Sequence, residues 1–191
     1  MAPMEKGQLV RRIVHLSTPV FLVYYFLPDP LWDGGLSRLL GLLLLLAAVL
    51  VAEGLRLIFR LRIVGMRDYE ETQISAGAWA AIGMTVAFVF FPLGYSAPAL
   101  MGMGWVDPLM GDMRKARSVY YPYAPMLVYF FIALISMSAI MGFSAEVLAA
   151  SIVATPVAIL AERIKSRTID DDFLMIVVPL IVIAAIFAVW P

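Results

Sequence analysis

The chain has 191 residues, of which 63% are hydrophobic and only 15% are charged. A soluble core of this length cannot bury so much apolar surface, so the composition excludes an ordinary soluble domain and predicts an integral membrane protein. The formal net charge is zero and cysteine is absent. These two features exclude an overall basic footprint for nucleic acid, disulfide bonds and thiolate zinc sites.

Apolar segments recur along the whole chain. We mark seven, at residues 13–27, 36–52, 74–93, 97–110, 125–141, 147–160 and 173–190. Several are shorter than the ~20 residues that a crossing helix needs, so flanking residues must extend them. The set predicts an all-α, polytopic membrane bundle of about seven transmembrane helices, in a single domain over residues 1–191.

The fourth segment is the least regular. It contains Pro98, Gly102, Gly104 and Pro108 and is interrupted by Asp107. We therefore expect a broken or re-entrant helix, which a membrane tolerates where protein or a polar cavity satisfies the backbone.

Basic residues are distributed very unevenly between the connections. Of the 14 Lys and Arg residues, all but Arg38 precede the first segment or fall in the second-to-third, fourth-to-fifth and sixth-to-seventh connections. The positive-inside rule places these parts in the cytoplasm, so we expect a cytoplasmic amino terminus and an external carboxyl terminus. The longest of these connections, residues 60–73, is a candidate interfacial helix.

Residues 162–172, ERIKSRTIDDD, are the most highly charged stretch, with seven charged residues in eleven. The successive acids Asp170, Asp171 and Asp172 offer oxygen ligands to a divalent cation, and Lys165 can contact phosphates that such a cation carries. The alternative is a solvated loop in which Asp172 caps the next helix. Both interpretations remain open from the sequence.

Asp107 is the most informative single residue. It ends a glycine-rich apolar segment and precedes the cations Arg114, Lys115 and Arg117. Glycines let the backbone approach a ligand and the cations suit a triphosphate, so this layout favours a nucleotide and Mg²⁺ site, although neither GxxxxGK[ST] nor GxGxxG occurs. The alternative is that Asp107 caps a helix.

Three further polar residues lie near the same membrane face. His15, the only histidine, is one turn inside the first segment, and Glu53 and Arg56 end the second. They are candidates for orienting substrate, but His15 is equally suited to an interfacial hydrogen bond, and the other two to an i, i+3 salt bridge.

Four motifs in this order resemble the dolichol kinase and phytol kinase family: RRIVHLS, Glu53 followed by Arg56, Gly-Trp-Val-Asp-Pro at 104–108, and AERIKSRTIDDDF at 161–173. The resemblance implies a multi-span enzyme that transfers the γ-phosphoryl group of CTP to a long isoprenoid alcohol. It also implies that Asp107 matches the metal or catalytic aspartate of the family, Glu162 its late glutamate, and Asp170 and Asp171 its aspartate pair.

The chain departs from the family pattern at three places. Asp172 stands where the family has Asn, Val106 precedes Asp107 where Gly is usual, and a Lys-Thr-x-Glu-Gly stretch is absent. Arg114, Lys115 and Arg117 are candidates to replace the phosphate contacts of that stretch.

Together with what the resemblance implies about CTP and the acceptor, the sequence predicts a CTP-dependent, Mg²⁺-dependent kinase of a polyprenol-type lipid alcohol at the cytoplasmic face, with membrane lipid but no nucleic acid as a partner. The candidate residues are Asp107, Glu162 and His15 for catalysis, Asp107, Asp170, Asp171 and Asp172 for metal, and Arg114, Lys115, Arg117 and Lys165 for the nucleotide. The alternatives are a CDP-lipid synthase of the phosphatidate cytidylyltransferase type, and a transporter or assembly factor without enzymatic activity.

The topology can be tested with single cysteines, because the chain has none of its own. We expect an impermeant maleimide to label a cysteine at Ser37 in intact cells, but not one at Ser166, because the basic connections are predicted to be cytoplasmic. Labelling at both positions would contradict the seven-span topology.

Overall fold

The protein is described by a computed structural model covering residues 6–164, 166 and 168–190. Its seven α-helices are α1 Lys6–Ser17, α2 Arg38–Phe59, α3 Ala76–Phe90, α4 Leu93–Lys115, α5 Tyr123–Met141, α6 Ala145–Arg163 and α7 Asp171–Val189. Two 3₁₀ helices, Thr18–Phe26 and Asp68–Glu71, lie between them. No strand occurs among the described residues, so the expected all-α class is confirmed.

Four of the described helices, α2, α5, α6 and α7, are long and apolar enough to cross a membrane. Helix α3 is also apolar but has 15 residues, which is about 22 Å of helix. Side chains such as Leu44 and Val51 on α2 are 51% and 62% exposed. A helix surface this apolar is suited to lipid rather than to water, and the chain is a helical membrane protein.

The fourth apolar segment differs from its expectation. Helix α4 is continuous through Pro98 and Pro108, so the prediction of a broken helix at residues 97–110 is wrong, whereas a re-entrant path stays a prediction. Proline removes one backbone donor, but within a bundle neighbouring helices compensate for that loss.

The glycines of α4 have a packing role instead. A Cβ atom at Gly104 would lie 2.6 Å from the backbone oxygen of His15, and one at Gly102 would lie 2.1 Å from the ring of Tyr129. These distances are shorter than any van der Waals contact, so only glycine lets α1 and the Tyr129 side chain lie this close to α4.

Helix α7 lies in the middle of the bundle, where it packs against α3, α4 and α6. Helix α6 places Ala150, Ala154 and Ala158 at four-residue intervals, all fully buried, and these small side chains let it lie close to its neighbours α5 and α7. The largest buried apolar side chains are Leu100, Met103, Met110, Tyr129, Met137, Met175, Ile176, Leu180 and Ile183.

The connection at residues 60–73 contains the 3₁₀ helix Asp68–Glu71 among turns, rather than the expected interfacial helix. Its Glu70 side chain accepts hydrogen bonds from the backbone N–H groups of Arg67, at 2.9 Å, and Ala76, at 3.4 Å. One carboxylate thereby ties the connection to the start of α3.

A buried salt bridge anchors the same connection to α2. Arg56 donates two hydrogen bonds to Glu53, at 2.9 and 2.8 Å, and a third to the backbone oxygen of Gln73 at 2.7 Å. The N–H of Ser75 donates to Glu53 at 2.6 Å. The i, i+3 salt bridge is therefore present, and its role here is to hold the connection against the bundle.

The packing at Gly104 makes a stability prediction. We expect Gly104→Ala to lower the thermal unfolding midpoint in detergent, because the new methyl group meets backbone that cannot move without shifting α1, at a cost of about 1–3 kcal/mol. Gly111→Ala on the same helix is the control, since its Cβ would have no neighbour within 4 Å. Equal midpoints for the two variants would show that α1 is not packed against α4 as described.

Candidate functional site

Four helices bring the predicted acidic residues and the histidine together. His15 comes from α1, Asp107 from α4, Glu162 from the last turn of α6, and Asp172 from the first turn of α7. The exposed fractions of the His15, Glu162 and Asp172 residues are 6%, 2% and 4%. A polar cluster this far from water must have its charges and hydrogen bonds satisfied from within.

His15 lies between two carboxylates. Its Nδ1 atom is 3.7 Å from Oδ2 of Asp107, and its Nε2 atom is 3.9 Å from Oδ2 of Asp172. These distances are longer than direct hydrogen bonds, so there is room for a small movement or for a bound group to bring the three side chains together.

Ligand-type atoms converge in two sets around Asp107. His15, Asp107 and Asp172 form one set, Asp107, Glu162 and Asp171 form the other, and within each set the candidate atoms lie within 4.8 Å of one another. The second set consists of carboxylate oxygens only, which suit a hard divalent cation such as Mg²⁺, whereas the first also offers an imidazole nitrogen. Asp107 is common to both sets and is therefore the central residue of the cluster.

Several buried atoms of the cluster have no hydrogen-bond partner among the described residues. They include Asp172 Oδ1, Glu162 Oε2, His15 Nδ1 and an Arg11 guanidinium nitrogen. A buried polar atom without a partner costs free energy of folding. A bound cation or substrate would remove that cost by pairing with the atom. The donor chemistry and the unpaired oxygens thus fit the Mg²⁺ that the resemblance implies.

Asp170 caps α7, and Asp172 does not. The Asp170 Oδ1 atom accepts a hydrogen bond from the Asp172 N–H at 3.1 Å, whereas the Asp172 side chain is buried in the cluster. The expectation that Asp172 caps α7 is therefore wrong, although Arg163, Ile164, Ser166 and Thr168 before it are exposed, as a solvated loop would be. Burial, together with the hydrogen bond and charge of Asp171, raises the pKa of Asp170 to about 6.

Two cavities meet at this cluster. A cavity of about 710 Å³, here called the apolar cavity, is lined mainly by hydrocarbon side chains of α1, the 3₁₀ helix Thr18–Phe26, α2 and α3, with Asp172 at one end. A second of about 510 Å³, here called the basic cavity, is lined by Gly7, Gln8, Arg11, Arg12, His15, Gly65, Met66, Arg67, Asp107, Pro108, Gly111, Asp112, Arg114 and Lys115. His15 and Arg11 line both cavities.

The predicted nucleotide-binding cations are placed differently from one another. Arg114 and Lys115 line the basic cavity, and Arg114 also forms an ion pair with Glu162. Arg117 is exposed, in a left-handed turn after α4, and is not among the residues that line the basic cavity. Lys165 lies outside the described residues.

Three further cations line the basic cavity, and from the sequence they were used only to predict the membrane topology. Arg11, Arg12 and Arg67 come from α1 and from the 60–73 connection, and Arg12 forms an ion pair with Asp112. The sequence signal that could have identified Arg11 as a site residue is its position four residues before His15, because residues 11 and 15 share a helix face.

Arg67 connects the basic cavity to the acids of α7. Its NH1 nitrogen is 3.4 Å from Asp171 Oδ1 and 3.8 Å from Asp170 Oδ2, and it donates a hydrogen bond to the Tyr69 hydroxyl. Burial alone would lower the pKa of Arg67, but Tyr69 and the two carboxylates outweigh it and raise that pKa. Arg67 therefore stays a cation beside the cluster.

The cluster makes a prediction about cation binding that needs no assay of activity. We expect purified protein to bind Mn²⁺, which accepts the same oxygen ligands as Mg²⁺, and we expect Glu162→Gln to weaken this binding by about tenfold or more. Electron paramagnetic resonance of free Mn²⁺ measures the change. Glu146→Gln is the control, because Glu146 lies in the first turn of the same helix and Glu162 in the last. If both variants bind as wild type does, the cluster is not a cation site.

Comparison with known proteins assigns no family to the chain. No protein-family model, no curated protein and no solved structure matches it. The resemblance to the polyprenol kinases therefore depends on the motifs quoted above, and the function has to be argued from the geometry of the described residues.

Proposed function

We propose that the protein is a CTP-dependent kinase that phosphorylates a polyprenol-type lipid alcohol at the cytoplasmic face of the membrane. The observation that carries the proposal is that a buried acid and histidine cluster lies between an apolar cavity and a basic cavity, with His15 lining both. A kinase of a lipid alcohol needs such a pair of cavities, because its acceptor is dissolved in lipid and its donor in water. The choice of CTP comes from the resemblance alone.

In this proposal the basic cavity holds the triphosphate. Arg11, Arg67 and Lys115 supply positive charge from three different elements, so the phosphates can be contacted from several sides. Phosphoryl transfer depends mainly on positioning and on stabilisation of charge, and a cavity lined with cations supplies both.

The acids divide into two roles. Asp107, Glu162 and Asp171 would hold Mg²⁺, which when bound neutralises charge on the β- and γ-phosphates. Asp172 lines the apolar cavity, and one of its oxygens has no partner among the described residues, which supports a role in accepting the proton of the alcohol, with His15 orienting it. The alcohol O–H bond breaks, its oxygen bonds to the γ-phosphorus, the bond between that phosphorus and the β-phosphate oxygen breaks, and CDP leaves.

The proposed topology has seven spans, with the amino terminus in the cytoplasm. Basic residues of α1, the 60–73 connection and the end of α4 gather around the cluster, whereas Arg38 starts α2 at its other end. This arrangement supports the sidedness expected from the positive-inside rule. Helix α3 is short for a span, and local thinning of the bilayer or snorkelling of flanking residues would accommodate it.

The proposal predicts a strong dependence on Asp107. We expect Asp107→Asn to reduce transfer from γ-labelled CTP to a polyprenol by about a hundredfold or more, because it removes a charge common to both sets of ligand atoms. Glu146→Gln should keep near wild-type transfer, and both variants should give a monodisperse peak in detergent.

Three outcomes of the same assay would contradict the proposal. Undiminished turnover of Asp107→Asn, or transfer by wild type that needs no divalent metal, would remove the role given to the acids. Release of pyrophosphate in place of CDP would identify a CDP-lipid synthase. ATP is tested in parallel as the competing donor.

A further inference from the structure

The apolar cavity extends far beyond the acid cluster, along the length of α2. Its lining on that helix includes Gly41, Leu42, Leu45, Val49 and Arg56, which recur at the spacing of one helix face. From Arg38, which also lines it, to Arg56 the helix rises by about 27 Å. This length is close to the thickness of about 30 Å of a bilayer hydrocarbon core.

The other walls of the cavity are also apolar over most of their length. Thr18–Phe26 and its flanks contribute Phe21, Tyr24 and Leu27, and α3 contributes Ala80 and Met84. Several lining side chains are partly open to the surroundings, among them Phe21 at 48% and Leu45 at 60% exposed. A hydrocarbon chain can therefore enter sideways from the bilayer without crossing water.

The end of the cavity at the cluster is polar and offers both halves of a hydroxyl site. Within the part of the chain that the structure describes, Asp172 has an unpaired acceptor oxygen, and Arg11 and Arg56 each have a buried N–H nitrogen without a partner. A hydroxyl group can donate to the carboxylate and accept from a guanidinium at once. The lining carboxylates Glu70 and Asp172 offset the two cations, so an anionic phosphate headgroup would gain little from this end.

We propose that the apolar cavity binds the hydrocarbon chain of a linear isoprenoid alcohol, extended along α2 with its hydroxyl at Asp172. This inference rests on the proposed function, since it assigns the acceptor of that reaction to a defined cavity. It also sets a length relation, because a bulky side chain placed part-way along the cavity must exclude long alcohols and still admit short ones.

Val49 is the position that tests this relation. It lines the cavity seven residues from Arg56, about 10 Å of helix rise from the polar end. Val51, two residues further along α2, is 62% exposed and is not a lining residue. Val49→Trp and Val51→Trp are therefore a matched pair, one filling the cavity and the other facing outward.

The experiment uses full-length protein in nanodiscs and a geranylgeraniol that carries a diazirine at its far end, without nucleotide. We expect photolabelling of α2 and of Thr18–Phe26 in the wild type. Val49→Trp should reduce this labelling by more than about tenfold, because the indole ring would occupy volume that the hydrocarbon chain needs, whereas Val51→Trp should not. Excess unlabelled geranylgeraniol should displace the probe, while excess bilayer phospholipid should not.

Equal labelling of the two variants, or displacement by phospholipid, would overturn the assignment of the cavity.

The same variants, assayed for transfer from CTP, separate this inference from the proposed function. Val49→Trp should still phosphorylate prenol, which is short enough for the remaining space, and lose geranylgeraniol. Transfer that is equal for both alcohols would overturn the cavity assignment alone. Selective labelling with no transfer from any nucleotide would support the cavity assignment and overturn the kinase.

Discussion

Burial of charge at one end of an apolar bundle is the constraint on which the rest of the structure depends. Asp107, Glu162 and Asp172 lie where an isolated carboxylate would cost several kcal/mol, so cations must reach them from other parts of the chain. Arg114 pairs with Glu162, and Arg67 lies beside the acids at the start of α7. The elements that carry these cations are therefore held against the same end of the bundle.

This requirement explains why the 60–73 connection is folded back. The Glu53–Arg56 pair binds the backbone on the far side of the connection, and Glu70 ties it to α3. Neither carboxylate belongs to the two sets of ligand atoms around Asp107. Their effect on the cluster is indirect: they fix the segment that delivers Arg67, which closes one side of the basic cavity.

The two cavities give the cluster its chemical character. His15 lines both an apolar and a basic cavity, so under the proposed function a lipid-soluble and a water-soluble reactant would each have a separate approach to it. A low dielectric around the cluster strengthens its interactions with a phosphate or a cation. A transporter would need acids along a path through the bundle, whereas these acids gather where the ends of α6 and α7 meet α1 and α4.

The sequence by itself determined the helical class, the membrane character and the chemistry of the candidate residues, because hydropathy and residue type are local properties. It also identified His15, Asp107 and Glu162 as candidates, although more than 50 residues separate each from the next. Only the tertiary structure decided that they share one cluster, that Asp170 rather than Asp172 caps α7, and that Arg11 and Arg67 line the basic cavity. Distances between helices, the glycine contacts of α4 and the fold of a polar connection arise from packing between distant segments, which no local pattern records.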